Sequence, residues 1–302
     1  MPVLSVDLAH RRWSDLGIVV LDRATPAKVS VAAQLGAGPA FPVQRLFTDP
    51  SGPDQNNQNQ NNQDQNNQPD RPIACEIISF VSPGITPGPV DADILAGLLN
   101  HLSNVRGIRV IVLDGPQAWK SRSNGLEHSR VGERQLNTPA KTGLPGMVKP
   151  ITYRPFAEFC LDVYDALCRR GWRRLETKDQ PGSPPERVLV ESYPFAAWKS
   201  LGLKPLPSKR RARVSDLAEA YGALRSIIPF TTNRPPNHDQ LQAIVGGLPG
   251  LALEERNTAL TRIVGNPPRR EEGHWREGFI VLPVAPRQPV KTGTLASLRF
   301  LD

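Results

Sequence analysis

Two short apolar runs, Val3 to Val6 and Ile108 to Leu113, each stop on an aspartate, Asp7 and Asp114. Runs of this length, rich in β-branched residues, are expected to be buried strands. A buried strand that ends on a carboxylate carries a charge to the edge of a sheet, so the fold has to explain two such edges. The run Leu16 to Leu21 follows Arg11 and Arg12 closely enough to form a hairpin with the first strand, and Ile73 to Val81 supplies a third strand. Ile94, Leu95, Leu98, Leu99 and Leu102 then recur at helical spacing behind Asp91, a candidate cap, and Gly107 separates them from the Asp114 strand. Phe156, Phe159, Cys160, Val163 and Leu167 mark a second amphipathic helix that Gly171 stops, and Arg187 to Glu191 follows as a fifth strand. Beyond it the apolar spacing predicts two helices, one from Val214 to Ile228 and one through Leu241, Ile244, Val245 and Leu248, so helices are expected to dominate the later half.

Three strands, helix, strand, helix, strand, helices is the order of an RNase H-like α/β protein. The expected core is a mixed five-stranded sheet with flanking helices, an antiparallel meander first and parallel right-handed crossovers after it. Other mixed sheets share this order. The chain is expected to form one domain over residues 1–302. The segment QNNQNQNNQDQNNQ, Gln55 to Gln68, offers no apolar residue to a core and is expected to be a disordered insertion spanning about residues 50–70. The 31 prolines and 24 glycines imply long connections elsewhere.

In that sheet the first and fourth strands are neighbours, so Asp7 and Asp114 emerge side by side, and Asp239, in the first turn of the last predicted helix, packs above them. Hard oxygen donors gathered in this way suit Mg²⁺ or Mn²⁺. A pair of such ions clamps the attacking water and the leaving oxygen of a phosphodiester. Each aspartate also has an ordinary structural role open to it: strand-end Asp residues make turns, and Asp239 can complement a helix dipole. Glu191, at the end of the fifth strand, is a further candidate ligand or orienter, with a strand-end ion pair as its alternative. His238 is expected to serve as a surface or cap residue, since neighbours on a helix point in different directions.

The balance of 37 Lys and Arg against 29 Asp and Glu gives a formal charge of +8, which favours polyanionic partners, DNA or RNA first. Two basic groups are candidate phosphate contacts: Arg130 with Lys141 in the excursion after the Asp114 strand, and Lys209 with Arg210 in the run SKRRAR. The first group has a self-satisfied loop as its alternative, with Glu133 pairing an arginine, and the second a solvated surface. Trp119 and Trp198 are either stacking surfaces or core. The three cysteines lack metal-ligand spacing and are expected to be reduced. No run of ~18 apolar residues occurs, and a cytoplasmic protein with no membrane partner is expected. Neither a P-loop, a dinucleotide glycine motif, a His-x-x-x-His pair nor a Gly-x-Ser-x-Gly elbow is present, which removes support from nucleotide hydrolysis by a P-loop, nicotinamide chemistry and serine esterase chemistry.

SVDLA around Asp7, VIVLDGPQAW around Asp114, RVGERQLNTPAKTG from Arg130, VLVESYPFAAW around Glu191, NHDQLQAIVGGL around Asp239 and REGFIVLP from Arg276 together resemble a family of predicted RNase H-like nucleases carried as a domain of unknown function. The resemblance implies a metal-dependent nuclease, with Asp7, Asp114 and Asp239 on its acidic positions and Glu191 in its Glu-x-Tyr-Pro segment. This chain departs from the family in having His238, not a second acid, before Asp239. A catalytically silent nucleic-acid-binding or scaffold module of the same fold is the alternative.

Overall fold

The computed structural model describes residues 1–23, 72–80, 88–177 and 187–285. The Asn/Gln tract lies outside the described residues, between two strands that pair directly.

β1 (Val3–Asp7), β2 (Gly17–Asp22) and β3 (Ile73–Ile78) form the antiparallel meander. α1 (Ala92–Arg106) follows, capped by the Asp91 carboxylate, which accepts from the Asp93 and Ile94 amides at 2.9 Å. It ends on Gly107, whose φ of 65° is the left-handed conformation that terminates helices. β4 (Val110–Asp114) then lies parallel to β1. The excursion after it folds into α2 (Val131–Gln135) and a small ribbon of β5 (Lys141–Thr142) with β6 (Val148–Lys149). α3 (Arg154–Arg169) returns the chain to the short β7 (Arg173–Arg174) and to β8 (Val188–Ser192), which is parallel to β4. α4 (Pro194–Ser200), α5 (Val214–Ile227), β9 (Phe230–Thr232) and α6 (His238–Glu254) lead to the closing hairpin of β10 (Thr261–Glu271) and β11 (His274–Pro283).

Among the described residues nine strands join one mixed sheet in the order β10-β11-β8-β4-β1-β2-β3-β9, with β7 pairing β8. The order β3-β2-β1-β4-β8 at its centre is compatible with an RNase H-like fold. The expected five strands are all present, but the sheet is larger than expected. The added strands escaped the periodicity for physical reasons. β10 contains Pro267 and Pro268, and its register slips between Asn266 and Arg269, where a bulge carries both prolines out of the ladder. β9 is only three residues long. Helices still outweigh strands in the later half, as expected, but they are joined there by three strands that the periodicity did not announce.

Strand alternation divides the core in two. Val3, Val112, Val190 and their neighbours face α6, whereas Leu4, Ile111 and Leu189 face α1 and α3. α6 lies unusually close to the sheet because glycines form its contact face. A Cβ added to Gly247 would stand 2.7 Å from the Ser5 Cβ, and one added to Gly250 would stand 2.3 Å from Val112 Cγ2. Both are closer than packed atoms tolerate. Trp198, fully buried with its indole N–H donating to Gln242 Oε1 at 2.8 Å, and Trp119, 8% exposed, are packing residues and offer no stacking surface.

Candidate active site

The parallel pairing of β1 with β4 sets Asp7 directly opposite Asp114. Both side chains leave the sheet on the α6 side, as Ser5 and Val112 do. Their carboxyl groups are close enough for the protonation of one to depend on that of the other. Burial raises the pKa of Asp7 well above the ordinary carboxylate value, with the charges of Asp114 and then Asp239 adding to it. Burial also lifts Asp114 to about 7; its interaction with Asp7 opposes the rise and the Glu191 charge reinforces it. Two carboxylates brought together away from water cannot both ionise without a counter-charge.

Asp239 is brought to this pair by the N-terminus of α6. Asn237 caps the helix, its side chain accepting from the Gln240 amide at 2.9 Å while its own backbone N–H donates to Gln240 Oε1. Gly17, at the start of β2, permits the approach: a Cβ there would lie 2.1 Å from the Asp239 carbonyl oxygen. Both Asp239 carboxylate oxygens are engaged. Oδ1 lies 3.2 Å from His238 Nδ1, and Oδ2 accepts from the Lys209 ammonium, which also binds Asp15 at 2.8 Å. His238 Nε2 lies 2.9 Å from the Pro207 carbonyl, so from the first position of the helix, beside the Asn237 cap, the histidine ties the basic loop to α6. Burial works against the Lys209 charge, but Asp15 and Asp239 together hold its pKa above the ordinary value. The ammonium thus supplies positive charge at the edge of the acidic cluster. Arg210, next to it, is exposed on the turn.

Glu191 occupies a different place. It is in register with Leu113, not with Asp114, and so leaves the sheet on the α3 side. Arg130 grips it with two bonds, 2.7 and 2.6 Å, and the Gln117 amide donates to it at 3.1 Å. The Arg130 guanidinium, 1% exposed, is also held by Glu133, so these carboxylates keep its pKa above the ordinary arginine value although burial alone would lower it. Glu133 in turn accepts from the amides of Arg130 and Thr142. Lys141, half-buried, donates to the Glu133 carbonyl at 3.0 Å. The excursion is therefore a bonded clamp with its charges paired inside. Sequence reasoning did not single out Glu277, which is 1% exposed, yet it accepts from the Ser121 and Val131 amides at 2.9 Å and from Asn124, pinning the same excursion to β11. Its signal in the sequence was a lone acid within an apolar strand, in REGFIVLP.

A cavity of about 450 Å³ opens beside Asp114, between this clamp, the start of α3 and the Glu191 strand. Its walls include His10, Tyr153, Phe156 and Tyr193, none of them proposed from sequence. Among the described residues no set of three or more His, Cys, Asp and Glu side chains stands ready-placed around a metal ion. The chemistry of the donors nonetheless fits a hard divalent cation at Asp7 and Asp114, which have only oxygen to offer and a repulsion that such an ion relieves. No described helix is long and apolar enough to cross a membrane.

No protein-family model matches the chain, and comparison with curated proteins finds no match. Among solved structures, one of RuvC from Thermus thermophilus is similar over 85% of this chain and 98% of its own, at 11% identity and a TM-score of 0.31. At that level the likeness carries no argument, and the strand order is compatible with an RNase H-like fold.

Proposed function

We propose that this protein is an RNase H-like, metal-dependent nuclease of the predicted-nuclease family that its motifs resemble, hydrolysing phosphodiester bonds of DNA or RNA. The observation that carries the proposal is the Asp7–Asp114 pair, two half-buried carboxylates placed opposite one another at adjacent strand ends with a third, Asp239, within electrostatic reach. Asp7 and Asp114 would hold Mg²⁺ or Mn²⁺, and Asp239 would complete the set for the two-ion arrangement on leaving Lys209. A divalent cation bound there supplies Lewis acidity and a water acidic enough to attack near neutral pH. Lys209, once released from Asp239, would be free to neutralise a phosphate, with Arg210 beside it on the same turn. Arg130 and Glu191 act from behind, holding the wall of the cavity in place, and Lys141 fixes the clamp that contains them.

A second reading, a silent nucleic-acid-binding or scaffold module, is favoured by the engagement of both Asp239 oxygens with His238 and Lys209. Cleavage of labelled single-stranded, duplex, RNA and hybrid substrates with Mn²⁺, Mg²⁺ or chelator separates the two. Metal-dependent cleavage that Asp7→Asn abolishes, with folding intact, is the expected result. Absence of cleavage together with salt-sensitive binding that Asp7→Asn leaves unchanged would overturn the nuclease reading in favour of the module.

A further inference from the structure

The cavity beside Asp114 is too apolar to be a phosphate track. Its 450 Å³ falls within the usual range of small-molecule pockets, about 300–1,000 Å³. Aromatic rings run through it and out of it. His10 and Phe156 have centroids 5.9 Å apart, and Tyr153 meets Phe156 edge-on at 6.4 Å. Tyr193, on another wall, lies 6.0 Å from Phe195, whose ring carries the Lys199 ammonium at 4.4 Å. Tyr153 and Phe195 are 43% and 44% exposed, large apolar surface for side chains outside a core. Arg11 stands among the lining residues. Aromatic faces interleaved with cations, next to a candidate phosphodiester-cleaving centre, are the elements that bind single-stranded nucleic acid. Each base stacks on a ring, and the cations follow the backbone.

We infer that this cavity receives an unstacked base of a single-stranded nucleic acid and thereby sets the neighbouring phosphate against Asp114. The inference rests on the nuclease reading for the role of that phosphate, but the binding of the base does not depend on it. A base paired within a duplex has both faces covered by its neighbours and its edge engaged, and can enter only by being unstacked at a cost of a few kcal/mol. The pocket therefore selects strands whose bases are already free.

The test uses the full chain carrying Asp7→Asn, in chelator, so that neither cleavage nor a bound ion enters the measurement. The probe is a strand of about six nucleotides, within the span of single-strand binding sites, containing one 2-aminopurine and made as DNA and as RNA. An abasic counterpart and a duplex serve as controls. The expected result is quenching of the 2-aminopurine on binding, with about tenfold weaker affinity for the abasic strand and for Tyr153→Ala, and recovery with Tyr153→Phe. Ala140→Trp, which fills the cavity without removing a ring, is expected to weaken binding equally and serves if Tyr153→Ala does not fold. Equal affinity for base-bearing and abasic strands, or full affinity and quenching in Ala140→Trp, overturns the inference. If base-dependent binding is found but the wild-type chain cleaves nothing with Mn²⁺, the nuclease reading fails and the pocket stands. If the wild-type chain cleaves duplex and single strand alike and Ala140→Trp does the same, the pocket fails and the nuclease reading stands.

Discussion

Replacing Asp114 with Asn should stabilise the metal-free protein at alkaline pH relative to acid, and the size of the effect follows from the site. Burial, reinforced by the Glu191 charge and opposed by Asp7, raises Asp114 from an ordinary value of 3.8 to about 7 in the folded chain. Between those values the folded state binds more protons than the unfolded state, so stability falls as pH rises through the window and the loss is complete above about 7. From pH 5 to pH 8 the folded protein must give up a proton held about two units more tightly than the medium supplies. At about 1.4 kcal/mol per unit this costs about 3 kcal/mol, a ceiling, because the adjoining cavity gives Asp114 partial access to water. Asp7 and Asp114 titrate together, so the figure belongs to the pair. Asn at 114 removes both the charge and the repulsion on Asp7. Urea unfolding in chelator at pH 5 and pH 8 measures the difference directly: the wild type should lose up to about 3 kcal/mol more than Asp114→Asn across that interval, other titrating groups cancelling. Parallel curves for the two proteins would refute the claim that buried like charge is stored here. Mn²⁺ at pH 8 should recover the loss in the wild type and leave the Asn variant unmoved.

Arg130→Ala strands Glu191 and Glu133 as buried anions and should cost about 3–5 kcal/mol in urea or thermal unfolding, with Arg130→Lys recovering only part of it because an ammonium cannot make the two-pronged contact. A variant as stable as wild type would show that the clamp is not held by this pair. Gly17→Ala drives a methyl into the Asp239 backbone and should cost about 1–3 kcal/mol while weakening Mn²⁺ affinity measured by calorimetry; an unchanged affinity would separate Asp239 from the metal set.

The sequence by itself determined the five central strands, both amphipathic helices that cover them, the Asp91 and Gly107 boundaries of α1, and the placement of Asp7 and Asp114 at strand ends. Those features are written in periods of two and 3.6 and in local capping, which need no distant partner. The tertiary structure alone decided the rest. β10 was hidden because its prolines sit in a bulge that exists only once β11 pairs beside it. Glu191 was grouped with the aspartates because it also ends a strand, but register, a property of two strands together, puts it in line with Leu113 and hence on the opposite face, where Arg130 claims it. Lys209 and Asp15 meet at Asp239 although they are separated by 194 positions in the chain. Such contacts are set by how closely α6 descends on the sheet, and the small glycine face that permits this gives no signal until the surface it touches is known.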